Sequence, residues 1–307
     1  MSQPTEQDAR KVAEDFRHMP VKRISRFPTG NHHYVYDLVM EDGSTLVVRM
    51  TKLSEKYAME GAVYLNGFFR AREVPLPDVY AHDLDAPFPW MLMERLPGRD
   101  LGDVFGGLND SVLKRIAALI GSYQKIAAES MKPEKFGYAV HPHTAPYNTW
   151  NDIIEESLRR SRARIEDADL ISPHYCDEVE RLMCAANMGE VTQATPFFHD
   201  LTGKNVIVTD SGDLSGVVDV DDLCFGDPTY HLALTRVALA RYPKGEDYIK
   251  YLLQSYDGYH ERRLDSYTAL FYLDFLSEIG QVFNGNIVNA SPERVAFLQQ
   301  SLEDCFV

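Results

Sequence analysis

Residues 198–219 read FHDLTGKNVIVTDSGDLSGVVD, and this stretch decides the fold. Two apolar arms flank the turn sequence Asp-Ser-Gly-Asp, which predicts an antiparallel hairpin. With the turn centred near Gly212, Asn205 lies seven residues before the centre and Asp219 seven residues after it. Opposed residues of a hairpin share one face, so we expect these two side chains to lie close together.

The stretch holds three polar side chains with chemical potential. Two of them can bind a hard cation, and the third can act as an acid–base group. The amide oxygen of Asn205 and the carboxylate of Asp219 are oxygen ligands of the kind that Mg²⁺ prefers. Asp200 lies on the loop just before and can act beside the metal without binding it. Such residues are also common at turns and strand ends. Asp219, however, stands between valines, where an unpaired charge is costly, and we therefore expect a functional site.

The same residues carry a family resemblance. The order Asp200-x-x-x-x-Asn205, followed by Asp219, resembles the catalytic and metal-binding loops of kinases. With Gly-Asp-Pro at 226–228, it resembles the aminoglycoside phosphotransferase and choline kinase superfamily, whose pattern is close to H-G-D-L-H-x-x-N, G-V-I-D-W-x-D and G-D-P-x-x-D-L-A. The likeness is specific within 198–233 and follows the order of elements elsewhere. The departures from the pattern are Phe198, His199, Thr202, Val220 and His231.

The resemblance implies an α+β, two-lobed protein-kinase-like fold. Residues 1–95 are then the β-rich nucleotide-binding lobe, and residues 96–307 the helical lobe with the catalytic loop, metal site and acceptor pocket. The residue pattern agrees, because β-rich sequence fills 22–50 and includes a hairpin signal at 41–44. Helical patterns are predicted at 6–16, 54–70, 110–129, 149–166, 174–187, 228–242, 246–260, 264–284 and 292–305, with one β-rich interruption at 196–220.

The nucleotide site is assigned mostly through the resemblance. Gly30, Asn31 and His32 match the short phosphate-covering loop, in which backbone N–H groups face phosphates. Arg49 stands where kinases place a phosphate-binding Lys, and a guanidinium can fork onto phosphate oxygens. Taken alone, Arg49 reads equally well as a surface residue at a strand end.

Two further nucleotide contacts follow. Glu60 lies 40° from Tyr64 on the helical wheel, beside the apolar face, so it is the better carboxylate to pair with Arg49. A solvated position for Glu60 remains an alternative. The segment containing Glu94 and Leu96 corresponds to the hinge, whose backbone would hydrogen-bond adenine.

The implied activity is transfer of the γ-phosphoryl group of ATP, or of another NTP, to a hydroxyl of an amine- or sugar-like acceptor. Asp200 would be the catalytic base, with Mg²⁺ held by Asn205 and Asp219. The acidic side chains assigned to the acceptor, as receivers of ammonium groups, are Asp222, Asp274 and Glu278. The alternative interpretation of these three residues is a solvated acidic face without a role in binding.

Charge and composition limit the partners. Lys and Arg number 31 against 46 Asp and Glu, a net charge of −15, which disfavours nucleic acid and anionic membranes. No apolar run approaches the roughly 18 residues of a membrane helix. The four cysteines show no zinc-site spacing. We expect a cytoplasmic monomer or homodimer acting on a small-molecule hydroxyl acceptor that can be cationic.

Two other classes stay open at this stage. The altered positions Phe198, His199 and Thr202 favour a catalytically silent, kinase-like nucleotide-binding module. The spacing Asp219-x-Asp221 also fits a metal-dependent nucleotidyltransferase, although the Gly-Ser phosphate loop that such enzymes place before the pair is missing.

Overall fold

The computed structural model describes residues 3–27, 33–169, 171–256 and 258–306. Its helices are α1 (Glu6–Arg17), α2 (Lys56–Arg70), α3 (Leu101–Val104), α4 (Asp110–Ser130), α5 (Trp150–Ala168), α6 (His174–Ala185), α7 (Thr229–Leu239), α8 (Gly245–Leu253), α9 (Glu261–Ser277) and α10 (Pro292–Glu303). Its strands are β1 (Val21–Arg26), β2 (Tyr34–Met40), β3 (Thr45–Met50), β4 (Val79–Asp83), β5 (Trp90–Glu94), β6 (Arg99–Asp100), β7 (Gly137–Ala139), β8 (Thr195–Phe197), β9 (Val206–Val208), β10 (Leu214–Val217), β11 (Leu223–Gly226), β12 (Val282–Phe283) and β13 (Asn286–Ile287).

The chain forms two compact units. Unit 1 comprises Met1–Gly98, Ser215–Asp222 and Val282–Ile287, and unit 2 comprises the remainder. The division therefore differs from the predicted boundary at 95/96, because two later stretches of chain belong to unit 1.

Unit 1 is built on an antiparallel sheet of strand order β1-β2-β3-β5-β4. Strand β2 alternates fully buried and partly buried residues, with Tyr36 and Leu38 among the buried ones, as expected of a strand with one face on a core. The β2–β3 hairpin predicted around 41–44 is confirmed, and its turn contains Gly43 at φ +84°.

Helix α1 covers the buried face of this sheet. Thr5 and Asp8 form a capping box that fixes where the helix begins. Ala9 and Ala13 are fully buried and pack in the same core as the β2 side chains. Their small size lets the helix backbone approach the sheet closely.

Unit 2 is mainly helical and centres on α9. This helix packs against α5, α6, α7 and α10, and its apolar residues are almost all buried. Two small sheets accompany the helices, one in the order β7-β11-β8 and one that pairs β6 with β9. Among the described residues, no helix is both long and apolar enough to cross a membrane.

The prediction of a helix over 264–284 is wrong at its C-terminal end. Helix α9 ends at Ser277, and strands β12 and β13 form a short hairpin. The turn residues Asn284 and Gly285 both have positive φ, +49° and +79°. An Asn-Gly pair is a strong hairpin signal, which the helical periodicity before it had obscured.

Candidate active site

The loop between β8 and β9 carries Asp200 and Asn205, and buried hydrogen bonds fix its shape. Gln124 of α4 donates from Nε2 to the Phe198 carbonyl at 2.7 Å and accepts the Phe198 N–H at 2.9 Å. Asn205 donates from Nδ2 to the Asp200 carbonyl at 2.9 Å. That bond leaves the Oδ1 oxygen of Asn205 as the atom that can face a cation.

The Asp200 carboxylate is oriented from both sides. The Thr202 hydroxyl donates to Oδ1 at 3.2 Å, and Lys204 Nζ lies 3.0 Å from Oδ2. The side chain of Asp200 remains 22% exposed. A carboxylate held in this way keeps accessible oxygen surface for an incoming hydroxyl group.

A close backbone approach explains the glycine in this loop. Gly102 donates its N–H to the Gly203 carbonyl at 2.9 Å. A Cβ on Gly203 would lie 3.3 Å from the Gly102 backbone and from Leu239. Gly203 therefore lets the loop pack tightly against the chain after β6 and the end of α7.

His231 occupies the position where the family pattern has an aspartate. It is fully buried, and its Nδ1 lies 3.3 Å from the His199 carbonyl. Burial lowers the pKa of His231 to about 4, with the His199 carbonyl and Asp200 opposing the shift. The imidazole is therefore neutral at pH 7, which avoids an uncompensated buried charge.

The Gly-Asp-Pro motif has a structural role in unit 2. Asp227 is buried, accepts the Thr229 N–H at 3.0 Å and the Tyr267 hydroxyl at 3.1 Å, and lies 2.9 Å from Arg263. A Cβ on Gly226 would lie 2.0 Å from the Trp150 ring. These contacts fix the start of α7.

A second charged cluster lies within unit 1 and joins β3 to the segment after β10. Arg49 is 5% exposed, and its Nη2 donates to Asp219 Oδ1 and to Asp221 Oδ2, both at 2.6 Å. His33, which is also buried, lies 2.8 Å from the same Asp221 oxygen. Burial alone would raise the pKa of Asp221, but Arg49 and His33 outweigh it and hold that pKa below its usual range.

Asp219 adopts an unusual backbone conformation. Strand β10 ends at Val217, and Asp219 follows it at φ +65°, in the left-handed region that non-glycine residues rarely occupy. Such a residue costs roughly 1–2 kcal/mol. The prediction that Asp219 lies inside a buried arm is wrong, since its side chain is 45% exposed while Val217 and Val220 are buried.

The expected pairing of Arg49 with Glu60 is also corrected. Glu60 lies 3.6 Å from Lys56 on its own helix, and its side chain is 48% exposed. The carboxylates that contact Arg49 are those of Asp219 and Asp221. Arg49 therefore reaches the acidic segment directly.

The other expected nucleotide residues are placed as follows. The backbone N–H of Glu94 donates to the Asp78 carbonyl at 2.8 Å, and the Leu96 carbonyl accepts from Arg95 at 2.6 Å. The hinge backbone is thus partly engaged within unit 1. The predicted phosphate-loop residues Gly30, Asn31 and His32 lie outside the described residues.

The predicted acceptor carboxylates Asp274 and Glu278 already have cationic partners. Asp274 lies 3.2 Å from Arg160 and 3.7 Å from Arg164, and Glu278 lies 3.4 Å from Arg164. Burial and Asp274 raise the pKa of Glu278 against the opposing arginines. Both carboxylates are therefore paired with arginines in this structure, and their predicted role in receiving ammonium groups stays a prediction. Asp222 is half-buried in unit 1.

Sequence reasoning missed several site residues. The sequence singles out Asp221 only through the Asp219-x-Asp221 spacing, which does not predict its contact with Arg49. His33, Lys204 and Gln124 carry no motif, and only the folded chain shows their contacts.

Each unit offers oxygen atoms of the kind that a divalent cation binds. In unit 2 this is the amide oxygen of Asn205, and in unit 1 it is the exposed carboxylate of Asp219. Oδ1 of Asp221 is buried without a hydrogen-bond partner, which leaves another oxygen in the same segment available. A hard cation such as Mg²⁺ takes oxygen ligands of this kind.

Unit 2 carries a loop with Asp200 and Asn205, and unit 1 carries an acidic segment that pairs with Arg49 of an antiparallel sheet. These features are typical of a kinase-like phosphotransferase. The sequence profile of the phosphotransferase enzyme family, APH, matches residues 23–265, and the chain belongs to this family. The predicted family, fold class and enzyme class are thereby confirmed. No curated protein matches the sequence.

Solved structures share the fold. A thermostable mutant of aminoglycoside phosphotransferase APH(4)-Ia in its apo form has a TM-score of 0.69 at 17% identity, covering 97% of this chain and 98% of that chain. A ternary complex of the same enzyme with ADP and hygromycin B gives 0.69 at 16%, with 97% of both chains covered. The GDP and kanamycin complex of APH(2")-IIia gives 0.68 at 14%, with 98% of both covered.

Proposed function

We propose that this chain transfers the γ-phosphoryl group of ATP, or of another NTP, to a hydroxyl of a small amine- or sugar-like molecule. The observation that carries the proposal is the Asp200 carboxylate, which Thr202 and Lys204 hold while part of it stays exposed. Membership of the phosphotransferase family supports phosphoryl transfer as the reaction in which this carboxylate acts.

Asp200 is the proposed base. Its carboxylate accepts or orients the proton of the acceptor hydroxyl as the oxygen attacks the phosphorus. Lys204 and Thr202 keep the carboxylate in one orientation.

Asn205 and Asp219 are the proposed oxygen ligands of Mg²⁺, which neutralises phosphate charge when bound. Arg49 is the proposed phosphate-positioning residue. In the structure Arg49 contacts Asp219, so phosphate and metal binding would compete with this ion pair. Gly30, Asn31, His32, Glu94 and Leu96 remain proposed nucleotide contacts.

Two observations weigh against a catalytically silent module. Phe198 and Thr202, which depart from the family pattern, both make contacts that order the catalytic loop. Asp200, Asn205 and Asp219 are all present. The altered positions thus replace supporting contacts and leave the reactive groups in place.

The neighbours support the proposed ligand classes. One of them is a complex with ADP and hygromycin B, and another is a complex with GDP and kanamycin. These ligands support a nucleotide donor and a hydroxyl-bearing small-molecule acceptor. Parallel assays with ATP and GTP would establish the preferred donor.

The test is Asp200→Ala. We expect turnover to fall about 10²–10⁴-fold, the usual contribution of a general base, while the Kd for Mg-ATP stays unchanged. Mg-dependent ATP hydrolysis and phosphoryl transfer to a sugar panel would be measured together with calorimetric ATP binding. The control is Asp210→Ala, because Asp210 is 92% exposed in the β9–β10 turn. Near-normal turnover in Asp200→Ala would reject the assignment.

A further inference from the structure

We call the facing residues of α5 and α9 the wall of unit 2, and the carboxylates of this wall are paired with arginines. Asp274 accepts from Arg160 at 3.2 Å and from the Ser161 hydroxyl at 3.0 Å. Arg164 lies 3.4 Å from Glu278. These carboxylates, between α5 and α9, are neutralised by arginines of the same unit.

This wall adjoins Asp200. Lys204 lies 3.0 Å from Asp200, and its charge also acts on the Glu278 carboxylate. Glu278 in turn lies at the end of α9 and contacts Arg164. Unit 2 alone thus holds the proposed base, its lysine partner and the arginine-paired carboxylates.

Two more guanidinium groups stand in the same region. Arg241 follows α7, two residues after Leu239, whose side chain borders the catalytic-loop glycine. It stacks on the Tyr242 ring at 4.8 Å and donates to its hydroxyl at 2.6 Å. Arg294, near the start of α10, has a buried Nε without a hydrogen-bond partner. Within the described chain, neither guanidinium pairs with a carboxylate.

Arg294 is held in an unfavourable setting. Burial and the charge of Arg241 lower its pKa, and Glu278 opposes the shift without forming a close ion pair. The charges of Arg241 and Arg294 thus oppose each other at some cost in free energy, and Glu278 offsets this only in part. A bound anion would relieve that cost, and a guanidinium fork matches carboxylate and phosphate oxygens.

The charge balance points the same way. We call the five cations of this region the basic cluster: Arg160, Lys204, Arg164, Arg241 and Arg294. Arg160, Arg164 and Lys204 have ion-pair partners in Asp200, Asp274 and Glu278, whereas Arg241 and Arg294 have none among the described residues. This local excess of positive charge occurs in a chain whose net charge is −15. A polycationic acceptor would be repelled here.

We propose that the acceptor carries, besides its hydroxyl, an anionic group, either a carboxylate or a phosphate ester, which Arg241 and Arg294 bind. This inference rests on the proposed kinase function and narrows its acceptor class. An amine- or sugar-like skeleton remains compatible, as in an amino acid, a sugar acid or a sugar phosphate.

The experiment uses the full chain and four sugars of one skeleton: glucose, glucuronate, glucose 6-phosphate and glucosamine. Calorimetry would give Kd in the presence of Mg²⁺ and a non-hydrolysable ATP analogue, and coupled assays would give kcat/KM with ATP. We expect glucuronate or glucose 6-phosphate to bind at least tenfold more tightly than glucose. The two anionic sugars also distinguish carboxylate from phosphate recognition.

Variants assign the effect to residues. Arg294→Gln should abolish the tenfold preference while leaving the Kd for ATP unchanged, and Arg294→Lys should restore part of it. The matched control is Arg181→Gln, since Arg181 is 67% exposed on α6 and outside the basic cluster. Thermal unfolding of each variant would verify that the chain folds.

The outcomes separate this inference from the proposed function. Tightest binding of glucosamine, equal binding of all four sugars, or a preference that survives Arg294→Gln would each overturn the anionic acceptor. The kinase function would still stand if Mg-dependent phosphoryl transfer continued and depended on Asp200. If Asp200→Ala had no effect on any turnover, the proposed function itself would fail.

Discussion

Asp221 in unit 1 and His231 in unit 2 are two ionisable groups in poorly solvated positions, and each has a lowered pKa. The two lowered pKa values have opposite consequences, because one group is charged at pH 7 and the other is neutral. Asp221 stays charged because Arg49 and His33 contact it at 2.6 and 2.8 Å. His231 stays neutral because burial dominates and only a carbonyl lies within hydrogen-bonding distance.

The comparison shows that direct counterions decide whether a buried group keeps its charge. Glu278 is an intermediate case, since its arginine partner is 3.4 Å away and its pKa is raised by burial and Asp274. Unit 1 thus holds a charged cluster suited to binding ions, whereas the buried histidine of unit 2 is a packing element.

The largest effect is expected from removing the cation of unit 1. Arg49→Ala removes the guanidinium that both Asp219 and Asp221 contact and leaves Asp221 with the His33 contact alone among these partners, so the free energy of unfolding at pH 7 should fall by about 3 kcal/mol. Arg160→Ala should cost less than about 1 kcal/mol, because Arg160 is 45% exposed and Arg164 remains near Asp274. Chemical denaturation would measure both.

Arg49→Lys serves as the charge-preserving control and should recover part of the lost stability. Equal losses in Arg49→Ala and Arg160→Ala would contradict the distinction between a buried cluster and a surface cluster.

An effect of similar or slightly smaller size should appear at His231 on acidification. The folded pKa of about 4 lies below the unfolded value of 6.5, so the unfolded chain binds the proton first. The stability from this group is complete above pH 6.5 and is lost as pH falls towards 4, by about 3 kcal/mol. Across this window, the loss of unfolding free energy measured by chemical denaturation should be larger by that amount in wild type than in His231→Gln.

His143→Gln is the control, because His143 is exposed. If His231→Gln keeps the full acid sensitivity of the wild type, the buried imidazole is not its source.

The smallest effect is expected at Glu278, with the opposite sign. Its raised pKa means that the folded chain binds the proton more readily. The stability from this group is present below pH 4.5 and is lost as pH rises through the folded pKa. Relative to wild type, Glu278→Gln should therefore gain stability as pH rises from 4.5 to 7, by less than the His231 change. The exposed Glu134→Gln should show no such trend.

Local patterns predicted the elements of the fold well. The hairpin around 41–44 and helix α4 were readable because burial alternates or repeats at a fixed period in each. The helix over 264–284 failed where Asn284 and Gly285 reverse the chain, which periodicity alone does not reveal.

The site was less predictable, since its partners are distant in sequence. Arg49 and Asp219 are 170 residues apart, and a helical wheel could only offer Glu60 as a partner. The left-handed backbone of Asp219 cannot be read from a Val-Val-Asp-Val sequence that favours a strand. The arginine partners of Asp274 and Glu278 likewise come from another helix.

The hairpin of β12 and β13 has a consequence for biosynthesis. Arg26 donates to the Asn284 carbonyl at 2.6 Å, and Lys52 donates to its side-chain oxygen at 3.3 Å, so this late segment is part of unit 1. At ribosomal speeds of 5–20 residues per second, residue 287 is made about 10–40 seconds after residue 98. The five-stranded sheet of unit 1 is therefore synthesised well before the β12–β13 hairpin and the segment Ser215–Asp222 that complete this unit.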